Sequence, residues 1–293
     1  LQQLDYHELK KLQLYLKHLL GPKDVLDKAA VSLIHDSPAV GENLQDHLGV
    51  SYFYKSKVPT LNDQLRPFLG KIYQGLRYII TRRGPLSLSV NQSGGFIKTR
   101  DGLEKPNIQL YFSPVSYSLE SPEKRAMMSP DPFSAMLFGI SSCSPLSRGR
   151  VHIDSNNPLK PPIIEPNYLS HKNDIRDLLE GVKVLRKLAK TDSFREVIGE
   201  EFRPGQECQT DEQMIQHIKD TVWTVFHPCG TCRMGPNPLK NVVDSNLRVH
   251  GIKNLRVADA SIFPQIVCGN INAATIMVGE KASDLILASA ENN

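Results

Sequence analysis

The sequence predicts an α/β or mixed α+β fold, and three observations carry that reading. Short strand-like runs such as "VSYFYKS" (50–56) and "NIQLYFSPV" (107–115) alternate with stretches of helical period. Apolar residues make up 40% and charged residues 23% of 293, a balance that can bury a core. Neither an internal repeat nor a low-complexity tract interrupts the chain. Its length suits one large domain or two medium ones.

Taken in order, Leu4, Leu9, Leu12, Leu16, Leu19 and Leu20 recur at threes and fours and predict an amphipathic helix over 4–20. Gly21-Pro22 would end it, glycine as a left-handed cap and proline by refusing to continue. Such a helix packs on a core, a partner or a membrane. Acidic and basic residues are mixed into its leucines with no small-residue cleavage site, so it is not a signal peptide.

A loop follows at 36–50, then the first strand, a helical pattern at 66–82 and the strand at 107–115. "SRGRVHID" (147–154) reads as a turn entering a strand, and "SNNPLKPPIIEPNYLS" as a proline-rich connection. Helices are expected over 173–190 and 211–220. "NLRVADASIFP" (254–264) reads as a buried strand running into a turn, and 270–289 as a loop opening a helix rich in small residues.

Composition excludes several classes. The net charge of +4 reads as spread along the chain, which argues against a nucleic-acid surface. No apolar run reaches the ~18 residues of a membrane span. Five cysteines, Cys143, Cys208, Cys229, Cys232 and Cys268, are too few and scattered for a disulfide framework, so reduced thiols in a cytoplasmic setting are expected.

The stretch richest in chemistry is "FHPCGTCRMG" (226–235), open to three readings. A redox C-x-x-C wants a helix growing from the motif, whereas Arg233-Met234-Gly235-Pro236 follows. A zinc site needs a second ligand pair, and Cys208 and Cys268 are single and distant. The third reading makes His227 a base, its ordinary pKa near ~6.5 suiting proton abstraction at neutral pH. Pro228 and Gly230 would fix an irregular backbone just after the apolar "VWTVF", where a buried strand ends. Further on, Asn270 and Asn272 precede a helix of small residues. They can cap that helix, or help hold an anion or a cofactor oxygen at its N-terminus.

Together these stretches resemble the glucose–methanol–choline flavoprotein oxidoreductases. The carriers are "VGENLQDH" (40–47), "GPLSLSVNQSGGF" (84–96), "SRGRV" (147–151), "EPNYLS" (165–170), "HPCGTCRMG" (227–235), "VVDSNLRVHGIKNLRVADASIFP" (242–264) and "NINAATIMVGEKASDLI" (270–286). They occur in the family's order from about residue 22 onward. The resemblance implies a mixed-sheet substrate domain with flanking helices over 51–222. Residues 1–50 and 223–293 would then belong to the C-terminal part of a Rossmann-like FAD-binding domain.

It also implies FAD as cofactor, oxidation of a small alcohol, and oxygen or a quinone as electron acceptor. His227 takes the place of the family's catalytic base. Asn270, eleven residues before Lys281, takes the place of its second active-site group, and asparagine there is similar to choline- and aliphatic-alcohol-oxidising members. Asp259 and Ala260 of "ADAS" would lie near the flavin's phosphate and ribityl chain, and Asn272 and Ala273 against its ring. His47 and Arg233 read as structural, Arg233 in an ion pair, and the two cysteines of the turn as packing residues.

The resemblance is incomplete. The family's G-x-G-x-x-G unit for the ADP half of FAD does not occur in these residues, and 1–21 depart from the family pattern. The expectation is therefore a C-terminal portion, or one half of an assembly whose other chain carries the nucleotide-binding unit. Alone, it would bind FAD weakly or not at all. Two other readings stay open: a flavin-dependent hydroxynitrile lyase, and a non-catalytic remnant. Membrane association is expected only through an electron acceptor.

Overall fold

A computed structural model describes residues 20–118 and 129–291. The helix expected over 4–20 lies outside them except for Leu20, which with Gly21 pairs in parallel with His35–Asp36. The chain divides into two compact units. One joins Leu1–Leu48, Cys143–Asp174 and Thr224–Asn293; the other joins Gly49–Ser142 and Ile175–Trp223. Residues 143–174 thus leave the contiguous 51–222 stretch expected from sequence. The cause is pairing with a distant segment: Leu44 and Gly149 exchange backbone hydrogen bonds at 2.8 and 2.9 Å, and the Val151 amide donates to Gly41 at 2.8 Å.

The second unit is built on a sheet. Its strands are β1 (Leu48–Ser56), β2 (Ser93–Ile97), β3 (Ile108–Ser113), β4 (Ala135–Ser142) and β5 (Ile198–Arg203), with the two-residue β6 (Trp223–Thr224) also on β1. The order β5-β1-β4-β3-β2 is antiparallel at every step. Tyr52 faces Phe138 across β1 and β4, and Leu110 faces Ile140 across β3 and β4. Every residue of the central β4 is buried, as expected for a continuous apolar run covered on both faces.

Helices α1 (Phe68–Thr81), α2 (Lys172–Ala189) and α3 (Asp211–Thr221) belong with the sheet unit for most or all of their length. On α2 the stripe Leu178, Val182 and Leu185 is at most 1% exposed. Gly181 allows close approach, since a Cβ there would meet Ile140 Cδ1 at 2.6 Å. A capping box at Thr210 and Gln213 starts α3. Behind β5, Arg186 pairs with Glu201 at 2.6 Å while its guanidinium lies 5.1 Å over the Tyr52 ring.

The first unit has its own core, in which Leu26, Val40, Leu44, Val151, Val243, Val257 and Ile262 are buried together. Its longest helix, α4, runs Asn272–Glu291. Two expected strands are corrected here. Residues 254–264 make one bridge, Arg256 to Arg248, and then the short 3-10 helix Ala260–Ile262. The strand expected before His227 is only β6, half-buried. In 254–264 the apolar residues Val257, Ala260, Ile262 and Phe263 are buried by turns that bond to distant segments, whereas Val222, Trp223 and Val225 stay half-buried.

Candidate active site

His227 follows Phe226, whose backbone φ of 62° is left-handed. For a bulky aromatic this costs on the order of 1–3 kcal/mol. It also sends successive side chains apart, leaving Phe226 47% exposed and His227 only 9% exposed. Thr224 holds the bend, its hydroxyl accepting from the Phe226 amide at 2.9 Å. Gly230 has φ 90°, and a Cβ there would lie 2.7 Å from the Asn43 carbonyl oxygen. The turn therefore has no room for a side chain at its centre.

What fixes the turn is the "LQDH" segment far upstream. Gln45 and Cys229 exchange both backbone hydrogen bonds at 3.0 and 2.9 Å, and the Val225 amide donates to the His47 carbonyl at 3.0 Å. On the turn's other side the Gly230 and Cys232 amides donate to the carbonyls of Ala260 and Ser261 at 3.2 and 2.8 Å. The Gln45 side chain accepts from the Ile266 amide at 3.1 Å and donates to the Pro264 carbonyl at 3.3 Å. Residues 44–47, 225–234 and 259–266 form one framework.

Within it two imidazoles meet. His47 Nδ1 lies 2.9 Å from His227 Nδ1, although 180 residues separate them, and the rings are edge to face. His47 Nε2 is 3.2 Å from the Cys143 carbonyl oxygen. A carbonyl only accepts, so neutral His47 carries its proton on Nε2 and its Nδ1 is an acceptor. His227 must then donate from Nδ1, which leaves Nε2 as a bare lone pair. That atom faces Asn270, whose Nδ2 is 3.4 Å away and donates to it.

Asp46 anchors His227 from behind. Its carboxylate accepts from the His227 amide at 2.9 Å, from the Tyr168 hydroxyl at 2.7 Å and from the Thr224 hydroxyl. Burial raises its pKa above the usual carboxylate range, and these hydrogen bonds pull the other way. Burial also holds His227 below the ordinary histidine range. His47 is held at about 4, by burial first and then by the neighbouring imidazole. Both rings are neutral at pH 7, as a proton acceptor requires.

The other expected residues lie around this pair. Asp259 is buried and caps the 3-10 helix Ala260–Ile262, its Oδ1 accepting from the Ser261 amide at 2.8 Å. Ala260 is buried too and carries the carbonyl that holds Gly230. Asn272 and Ala273 open the first turn of α4 and are exposed. Among the described residues Arg233 has no ion-pair partner, contrary to expectation, and its Nε donates to the Lys240 carbonyl. Cys229 and Cys232 are buried free thiols, each pushed up to about 12 mainly by burial, so neither supplies a thiolate near neutral pH. Among the described residues no cluster of histidine, cysteine or acidic side chains could hold a metal ion.

Sequence reasoning read His47 as structural and did not single out Asp46. Their adjacency in "LQDH" was visible, but nothing in the sequence tied it to a turn 180 residues on.

A neutral imidazole with a bare Nε2 beside an amide donor can take a proton from a hydroxyl while its oxygen is held. Comparisons with known proteins place similar chains beside this one. The family model for GMC oxidoreductase matches residues 145–279. The oxygen-dependent choline dehydrogenase of Escherichia coli O157:H7 is 37% identical over 267 residues, 91% of this chain and 46% of that protein. An alcohol dehydrogenase [acceptor] of Pseudomonas putida is 36% identical over 280 residues, 95% of this chain and 50% of that protein.

Among solved structures, a formate oxidase variant of Aspergillus oryzae RIB40, studied for modification of its FAD, superposes with a TM-score of 0.88. It is 27% identical, with 97% of this chain and 53% of that chain covered. Pyridoxine 4-oxidase from Mesorbium loti gives a TM-score of 0.77 at 28% identity, covering 94% of this chain and 49% of that chain. The chain spans about half the length of the curated relatives it matches. On these matches, the chain belongs to the GMC oxidoreductase family and corresponds to its C-terminal part.

Proposed function

We propose that this chain supplies the base and the substrate-orienting amide for FAD-dependent oxidation of an alcohol CH–OH group to an aldehyde or ketone, with oxygen or a quinone as final acceptor. The supporting observation is the relay from the Cys143 carbonyl through His47 to His227, which ends in an unprotonated Nε2 facing Asn270 at 3.4 Å. Nε2 takes the hydroxyl proton, and Asn270 donates a hydrogen bond to the same oxygen as alkoxide character develops. Asparagine does not compete for the proton, so the base role falls to His227 alone.

The residues present fit a flavin. The first turn of α4 exposes Asn272 and Ala273 and carries no acidic side chain. Its positive end suits the negative charge of a reduced flavin. Asp259 and Ala260 would serve the phosphate and ribityl side. Bound FAD would accept the hydride from the substrate carbon, its ADP portion held by a G-x-G-x-x-G unit outside these 293 residues. In this reading Gly49–Ser142 with Ile175–Trp223 is the substrate-binding portion, and the other unit is the flavin side.

In the flavin-loaded protein His227→Ala should lower kcat/KM for an alcohol by roughly 10²–10⁴, with flavin content unchanged. Undiminished turnover at normal flavin content would sink the base assignment. Turnover that needs no electron acceptor would replace oxidation by a lyase reaction.

A further inference from the structure

Helix α1 faces the wrong way for a core helix. At about 100° per residue, Phe68, Ile79, Ile72, Leu76, Leu69, Ile80 and Tyr73 share one arc of about 140°. All seven are exposed, from 44% to 78%. The helix's buried residue is a polar one, Gln74, on the opposite face, where its amide donates to Gln64 at 3.2 Å. An apolar stripe of this width ordinarily packs inward. The exposed apolar surface continues past the helix through Leu86, Leu88 and Val90, which are 48% to 60% exposed.

Along this helix and its flanking segments the charge has one sign. No Asp or Glu occurs between Asp63 and Asp101, while Arg66, Lys71, Arg77, Arg82 and Arg83 fall within or beside the helix. The modest net charge of the whole chain concealed this local excess. Among the described residues none of Lys71, Arg77, Arg82 and Arg83 is in a direct ion pair with a carboxylate. On the helical wheel Arg77 lies about 40° beyond one edge of the apolar arc and Lys71 about 60° beyond the other, and Arg82 follows at the left-handed C-cap. Cations flanking an apolar face on both sides can reach phosphate groups while the face enters the acyl boundary.

We propose that α1 is an interfacial helix that seats this unit on an anionic lipid surface. The occupant follows from charge complementarity: an apolar face asks for hydrocarbon, and an acid-free cationic border asks for an anionic plane around it. Docking is parallel to the surface, since among the described residues no helix is long and apolar enough to cross a membrane. The inference is independent of the chemistry at His227.

The test is co-sedimentation of the chain with vesicles of phosphatidylcholine, with and without about one-third phosphatidylglycerol. The expected result is binding to the anionic vesicles, much weaker binding to the neutral ones, and release by high salt. Lys71→Gln with Arg77→Gln should weaken partitioning by about 10-fold or more. Ile72→Glu with Ile79→Glu should abolish it. All four side chains are exposed, so the melting temperature should stay at the parent value; Leu76→Ser is a milder second probe of the same face. Equal binding to neutral and anionic vesicles, or none to either, would overturn the proposal. A self-association that Ile72→Glu with Ile79→Glu dissolves, without vesicle binding, would assign the face to a second copy. Vesicle binding unchanged in both double variants would place the lipid contact elsewhere.

Discussion

His47 and His227 divide one task. The Cys143 carbonyl sets the proton of His47, and His47 in turn sets the proton of His227, so the acceptor atom is chosen by a backbone group two hydrogen bonds away. His47 is a positioning residue in this scheme. His47→Phe leaves the His227 Nδ1 proton without its acceptor and should lower kcat/KM by about 10-fold or more. It should also displace the acid limb of the kcat/KM profile. His47→Gln, whose carbonyl can accept that proton, should recover most of the activity; equal loss in both variants would indicate a merely structural ring. In the parent protein the acid limb should fall below the ordinary histidine value, because burial lowers the His227 pKa.

Elements here take their form from what they bond to more than from local propensity. The "HPCGTC" turn has neither a helix nor a ladder of its own, and its amides and carbonyls are spent on residues 41, 45, 260 and 261. Gly230 is the point where the turn and residue 43 come closest. Gly230→Ala must accept both a left-handed φ of 90° and a Cβ 2.7 Å from a carbonyl oxygen. It should cost about 2 kcal/mol or more, read as a lowered urea midpoint. An unchanged midpoint would mean that the turn relaxes freely. The helical stretches 66–82, 173–190 and 211–220 were legible because their periods are strong, and the helices run Phe68–Thr81, Lys172–Ala189 and Asp211–Thr221. For α1, however, period revealed the stripe and gave no hint that it faces outward.

At the scale of the whole molecule, buried ionisable groups make stability depend on pH. An unfolded histidine protonates near ~6.5, whereas His47 resists protonation until about 4. Its contribution is therefore complete above pH ~6.5 and is lost as pH falls toward about 4, a span of about 3 kcal/mol at most. Asp46 opposes this, because its raised pKa makes the folded state bind a proton more readily than the unfolded one. Urea titrations between pH 4 and 7 should show a shallower decline in His47→Gln than in the parent. Parallel declines would show that His47 is not the group responsible.

The sequence by itself determined the family resemblance, the interleaving of strands and helices, and the segment that holds His227 and Asn270. These are local properties, carried by short motifs and by hydrophobic period. Only the tertiary structure decided that residues 143–174 join the terminal segments, that 254–264 is a turn rather than a strand, and that Arg233 bonds a carbonyl. It alone also brought His47 and Asp46 against His227. Apart from the Arg233 bond, whose partner is seven residues away, each depends on hydrogen bonds between residues far apart in the chain, and no window of sequence contains both partners. Which face of an amphipathic helix is covered is decided in the same way, by the neighbour that does or does not pack against it.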